Sequence, residues 1–131
     1  MLANPERTNG ILPTGSPKRV AIVDDLPGLR QLYELVLRQW GHKVVLVASS
    51  GEEVVKEAEN GKLKDVDVII LDYHMEQVNG LQAAARVLGR NPKVKIVIAS
   101  GEEAIENEVR AAGLQYLKKP FGKDDLLKCI G

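Results

Sequence analysis

The chain has 131 residues, and its 18 Lys+Arg are balanced by 18 Asp+Glu, a length that fits one domain with one sizeable core. Apolar residues at 44% and charged residues at 27% describe a globular chain rather than a disordered one. Zero net charge argues against a nucleic-acid binder, which would gather a basic excess, and no apolar run approaches the ~20 residues of a membrane span.

Residues 1–17 hold Pro5, Pro13 and Pro17 among Asn4, Asn9, Gly10, Gly15 and Ser16. They have no apolar core of the kind a signal peptide needs, and they read as a flexible tail or linker ahead of a domain at 18–131. A single cysteine, Cys129, forms no internal disulfide, and no Cys/His group has zinc spacing. The default compartment is therefore the cytoplasm.

From Lys18 onward short apolar runs appear at Val20–Val23, Val44–Ala48, Val66–Leu71, Val94–Ala99 and Leu114–Leu117. They are rich in Val and Ile and do not alternate with polar residues, as expected of strands covered on both faces. Helical patterns separate them. The first places Leu29, Leu32, Tyr33, Val36 and Trp40 on one apolar face and stops at Gly41. The second opens on Ser50-Gly51-Glu52-Glu53, which has capping-box spacing. The third sets Leu81, Ala84, Ala85 and Leu88 on one side, ending near Gly89. The fourth repeats the cap as Ser100-Gly101-Glu102-Glu103 and runs through Ile105 and Val109 to Gly113. The fifth starts at Lys123 and carries Leu126, Leu127 and Ile130. Five strand–helix units imply right-handed crossovers and a doubly wound α/β domain with helices on both faces of a parallel sheet. Ligands of such sheets bind at the carboxyl ends of the strands.

At those ends stand Asp24-Asp25, Asp72, Ser100 and Lys118-Lys119-Pro120, whereas the second strand ends in Ala48-Ser49-Ser50 with no acid. Three clustered carboxylates repel one another unless a cation offsets them, and an oxygen-only donor set suits a hard divalent ion such as Mg²⁺. A metal beside a carboxylate and an ammonium suits phosphoryl chemistry with Asp as nucleophile. Counting Asp24, Asp25 and Asp72 against one ammonium of the Lys118-Lys119 pair gives a local charge of about −2 before metal binds.

Val23-Asp24-Asp25, Leu71-Asp72-Tyr73-His74-Met75 with Asn79-Gly80, Ala99-Ser100-Gly101 and Tyr116-Leu117-Lys118-Lys119-Pro120-Phe121 together resemble the receiver domains of two-component response regulators. The resemblance spans roughly 18–131, with the blocks in order. It implies a CheY-like, flavodoxin-like five-stranded sheet of order 2-1-3-4-5. It implies that Asp72 accepts a phosphoryl group from a histidine kinase or phosphotransfer protein. Asp24, Asp25, Asp72 and the backbone carbonyl of His74 would hold Mg²⁺, with Mn²⁺ also suitable. Lys119, ahead of a Pro120 that often follows a cis bond in this family, would contact the phosphoryl group. Ser100 would be the switch hydroxyl and Tyr116 the aromatic that changes rotamer with it, altering the face of the fourth helix, fifth strand and fifth helix for a downstream protein. Direct nucleic-acid contact and membrane insertion are not expected. His74 and Glu102 occupy positions that tune phosphoryl lifetime in the family.

Three features depart from the pattern: Glu76 where proline is common, Gly101 where alanine is usual, and a last helix ending at Ile130-Gly131. The alternative function is a receiver-fold interaction module that acts without phosphorylation. An Asp-dependent phosphatase is disfavoured by Tyr73-His74 after Asp72, and a P-loop enzyme by the lack of its glycine motif. The domain would then be a switch that catalyses its own phosphorylation and hydrolysis, not a turnover enzyme. Of the remaining residues, His42 reads as a surface position, Trp40 as packed at its helix end, and Cys129 as a small apolar residue or free thiol.

Overall fold

The computed structural model describes residues 16–131, so all but the last two residues of the 1–17 tail lie outside the described residues. The strands are β1 (Arg19–Val23), β2 (Lys43–Ala48), β3 (Val68–Asp72), β4 (Lys95–Ser100) and β5 (Gln115–Lys118). The helices are α1 (Pro27–Gln39), α2 (Gly51–Glu59), α3 (Gly80–Arg90), α4 (Glu106–Ala111) and α5 (Lys123–Ile130). All pairings are parallel, in the order β2-β1-β3-β4-β5.

Successive side chains of a strand point to opposite faces, which splits the core in two. Ala21, Val23, Ile69, Leu71, Ile96 and Ile98 pack under α2, α3 and α4. Val20, Ile22, Val68, Ile70 and Val97 pack with Leu37 of α1 and Leu126, Leu127 and Ile130 of α5. Burying each such Val, Leu or Ile contributes about 1.5–3 kcal/mol before entropy is counted. The three central strands are covered on both sides, and this double cover explains their unbroken apolar runs.

β2 departs from that expectation. It is an edge strand whose residues alternate between exposed and half-buried as far as the buried Ala48. A bulge sets Val20 opposite Val44 but Ala21 opposite Leu46, so Val45 is the extra residue.

The helix faces also differ from the sequence reading. On α1 Leu32 is 52% exposed and Leu37 is fully buried, because the helix sits on its Tyr33–Leu37 line. On α3 the buried line is Ala83, Ala84 and Val87, with Ala85 exposed. Both helices carry consecutive apolar residues, so periodicity alone leaves their rotation open by about one residue, or 100°.

The caps follow suit. Ser50 Oγ accepts from the Glu53 N–H at 3.1 Å, but the Glu53 carboxylate takes Ser49 N–H and Oγ at 2.9 and 3.0 Å, so that box is half formed. The reciprocal box is Asn79 with Gln82 at the start of α3. Ser100 is no helix cap at all. It ends β4 opposite Lys118, and a 3₁₀ turn at Glu103–Ile105 precedes a short α4.

His42 is buried, which corrects the surface reading. It sits at the entrance to β2, and its Nδ1 accepts the Lys18 backbone N–H at 3.0 Å. Trp40 is half-buried against the α1–α5 core, with Lys123 Nζ 5.2 Å above its ring. Cys129 is buried, its Sγ 3.0 Å from the Leu126 carbonyl, and burial pushes its thiol up to about 11.

Candidate functional site

The carboxyl ends of β1 and β3 lie side by side, and this adjacency brings Asp24 and Asp72 together. Asp24 follows Val23, whose partner in β3 is Leu71. Each of Asp24, Asp25 and Asp72 offers a carboxylate oxygen within 4.8 Å of the others. Asp24 is 2% exposed and Asp72 6%, whereas Asp25 faces solvent. Lys119, carried in from the end of β5, reaches across β4's end and bonds Asp72 Oδ1 at 2.9 Å and Asp24 Oδ2 at 3.0 Å. The Lys119–Pro120 bond is cis.

Burial raises the Asp72 carboxyl above its ordinary value. The Lys119 hydrogen bond and charge pull it back, and the Asp24 and Asp25 charges add to the rise. Burial works against the Lys119 ammonium, but its bonds to Asp72 and Asp24 hold its pKa above the ordinary lysine value. The ammonium is thus a fixed positive charge between two largely buried carboxylates, with the third at the mouth.

Several further residues hold this arrangement, Leu26 and Arg30 among them with no sequence signal. The Leu26 N–H donates to Asp24 Oδ1 at 2.9 Å, an Asx-type turn, and Arg30 Nη1 donates to the Asp24 carbonyl at 2.7 Å. Gly80 lies against the backbone of Asp72 and Tyr73, where a Cβ would meet the Asp72 carbonyl oxygen at 2.7 Å. Its N–H also donates to the Tyr73 carbonyl at 2.9 Å. The loop containing Glu76, where proline is common, is tied down. Val78 N–H donates to the Glu76 carbonyl at 2.7 Å, and the Gln77 amide nitrogen, turned toward Glu52, lies 2.6 and 2.8 Å from its carboxylate oxygens.

Ser100 is buried beside this cluster, and its Oγ accepts the Glu102 N–H at 2.9 Å. Tyr116 is 9% exposed, and its hydroxyl donates to the carbonyls of Glu102 and Ser100 at 2.9 and 3.2 Å. The His74 side chain is exposed, its Nε2 3.5 Å from Glu102 Oε2 across the site's mouth. Lys118, which precedes Lys119, turns outward and pairs with Glu103 at 2.6 Å. Of the two lysines, then, Lys119 is the one the fold delivers to the acids.

The sequence profile of the response regulator receiver domain matches residues 20–131. The chain belongs to this family. Its relatives include the transcriptional regulatory protein PdtaR of Mycobacterium tuberculosis, 32% identical over 116 residues that make up 87% of this chain and 55% of that protein. The cell cycle response regulator CtrA of Brucella ovis is 33% identical over 115 residues, 86% of this chain and 48% of the relative. The chain spans about half the length of these curated relatives. Among solved structures, the response regulator domain of Thermotoga maritima CheB superposes with a TM-score of 0.76 at 28% identity, covering 88% of this chain and 94% of that one. Chemotaxis protein CheY4 of Vibrio cholerae gives 0.73 at 27% identity, covering 86% and 95%. Phosphorylation-dependent signalling is the general role of a receiver domain. No described helix is long and apolar enough to cross a membrane.

Proposed function

We propose that Asp72 accepts a phosphoryl group from the phosphohistidine of a sensor kinase or phosphotransfer protein, and that Ser100 and Tyr116 relay the event to a downstream protein. The observation that carries this reading is Lys119, which links Asp72 to Asp24 from the strand at the far edge of the sheet. Among the described residues only Oδ1 of Asp72 accepts a hydrogen bond, so Oδ2 retains its lone pairs for attack. In that step a carboxylate oxygen bonds to phosphorus, the P–N bond breaks, and the imidazole leaves with the electron pair. Lys119 stands within reach of the oxygens on which charge accumulates.

The three carboxylates fit a hard divalent cation in number, spacing and chemistry, and with the His74 carbonyl they would hold Mg²⁺. Bound there, the ion would offset their repulsion and stabilise charge on phosphoryl oxygens. Ser100 accepts from the Glu102 N–H and keeps its own proton to donate to a phosphoryl oxygen. Its movement would break the Glu102 contact and free the Tyr116 hydroxyl from the same loop, changing the α4–β5–α5 surface. The domain acts once per phosphorylation and resets by hydrolysis, as a cytoplasmic switch rather than a turnover enzyme.

The test is intact-mass labelling with acetyl phosphate and Mg²⁺. The wild-type chain should gain one phosphoryl group and Asp72→Asn none. Equal labelling of both would overturn the assignment.

A further inference from the structure

At the opposite end of the sheet, the segments leading into β1, β3 and β4 enclose an open cleft of about 960 Å³. Four cations line it, Arg19, Lys64, Arg90 and Lys93, against two acids, Asp65 and Asp67. Asp67 is already committed, since its Oδ2 accepts the Arg19 backbone N–H at 2.8 Å. Among the described residues, none of the four cations makes an ion pair. Four exposed cations against two acids, one of which is already hydrogen-bonded, give this concavity a positive lining.

The floor between the cations is apolar, formed by Val66, Val94 and Pro92. Nucleic acid fits this lining poorly, because no aromatic ring is present to stack a base. An acidic peptide fits it better. Guanidinium groups take carboxylates in paired hydrogen bonds, and a valine–proline floor accepts an apolar side chain between them. We propose that this cleft docks an acidic segment of a partner protein, with Asp or Glu interspersed with apolar residues.

The five residues of β1, at about 3.3 Å each, separate the cleft from the Asp24 end by roughly 16 Å. Docking here leaves the mouth above Asp72 uncovered and is the same before and after phosphorylation. The cleft would thus hold a partner constitutively, and its test does not depend on phosphoryl chemistry.

The probe is a labelled Glu-Glu-Leu repeat peptide titrated into the full chain at low salt, followed by amide NMR and fluorescence anisotropy. Shift changes should centre on residues 64–67 and 90–94, and affinity should fall with salt as exposed charges are screened. The double variant R90E/K93E should weaken binding by at least about tenfold, whereas Lys128→Glu on α5 should leave it within about twofold. Beryllofluoride with Mg²⁺ should not change the affinity. Shifts centred away from the cleft, unchanged affinity in R90E/K93E, or tighter binding of a uridine oligonucleotide at the same residues would each overturn the proposal.

Discussion

The two ends of this sheet handle charge in opposite ways. At the carboxyl end Asp24 and Asp72 are almost wholly buried and a single ammonium, Lys119, is inserted between them. At the amino end Arg19, Lys64, Arg90 and Lys93 are exposed, and among the described residues they have no ionic partner. The zero net charge of the whole chain hides this division. Depth, more than charge number, sets the energetics. Buried charges couple through a low effective dielectric, while exposed ones are screened by water and salt within about 10 Å. A substitution at the carboxyl end should therefore change chemistry and stability, and substitution of an exposed amino-end cation should change recognition alone.

The largest expected effect breaks the buried end. Lys119→Ala removes a charge-assisted hydrogen bond worth about 1.5–3 kcal/mol, so phosphoryl uptake from acetyl phosphate should slow roughly tenfold to hundredfold. Lys64→Ala should leave that rate within about twofold. Comparable losses in both variants, measured by stopped-flow tryptophan fluorescence from Trp40 or by mass, would erase the distinction between the ends.

Next in size is Asp72→Asn, read as stability without metal. The fold raises the Asp72 pKa, so its ionised form is disfavoured in the native state. The stability linked to this group is fully present below the ordinary value of 3.8 and is lost as pH rises through the raised folded value. Where the wild-type carboxyl is ionised that stability is lost, while asparagine stays neutral and still offers Lys119 an acceptor. The variant should be the more stable chain by about 1 kcal/mol in EDTA at pH 7, with the gap closing toward pH 4. An unfolding midpoint in urea at or below that of wild type would show that Lys119 compensates the cluster fully.

Much of the carboxyl end was legible because each residue there is fixed by a short-range fact, namely the place where an apolar run stops. Strand periodicity and connection rules place Asp24, Asp72, Ser100 and the Lys118-Lys119 pair at the carboxyl ends of strands. The adjacency of those ends, and the choice of Lys119 over Lys118, are what the resemblance to receiver domains implies. What was illegible depends on partners far away in the chain. Ser100 has the spacing of a helix cap, yet its carbonyl accepts the Lys119 N–H at 2.8 Å and a bond from Tyr116, and those contacts hold it as the end of a strand. Leu32 and Leu37 are equally apolar, and only docking on the sheet decides that Leu37 is buried. Arg30 clamps the Asp24 carbonyl with no motif to announce it. The cations of the cleft come from positions 19, 64, 90 and 93, which meet only after two crossovers have formed.

The smallest expected effect sharpens the contrast through pH. His42 reads as a surface residue in the sequence because nothing near Gly41-His42-Lys43 signals its partner, the N–H of Lys18, 24 residues earlier. Its Nδ1 accepts that N–H, which fixes the neutral ring with the proton on Nε2. Burial, helped by the Lys18 charge, lowers its pKa below 6.5. For a base lowered in this way, the associated stability is present above 6.5 and is lost as pH falls through the folded value. Protonation would also set an Nδ1–H against the Lys18 N–H. Acidification should therefore loosen the amino end at His42, while it relieves the carboxyl end at Asp72. The two trends partly cancel in the wild type, so the measurement belongs in the Asp72→Asn background, where the opposing carboxyl is gone. There, stability should fall by a few tenths of a kcal/mol between pH 7 and pH 5.5, and His42→Asn, which keeps an acceptor facing Lys18, should flatten the slope. An equal slope in both chains would mean that another group, not His42, carries the acid sensitivity of the amino end.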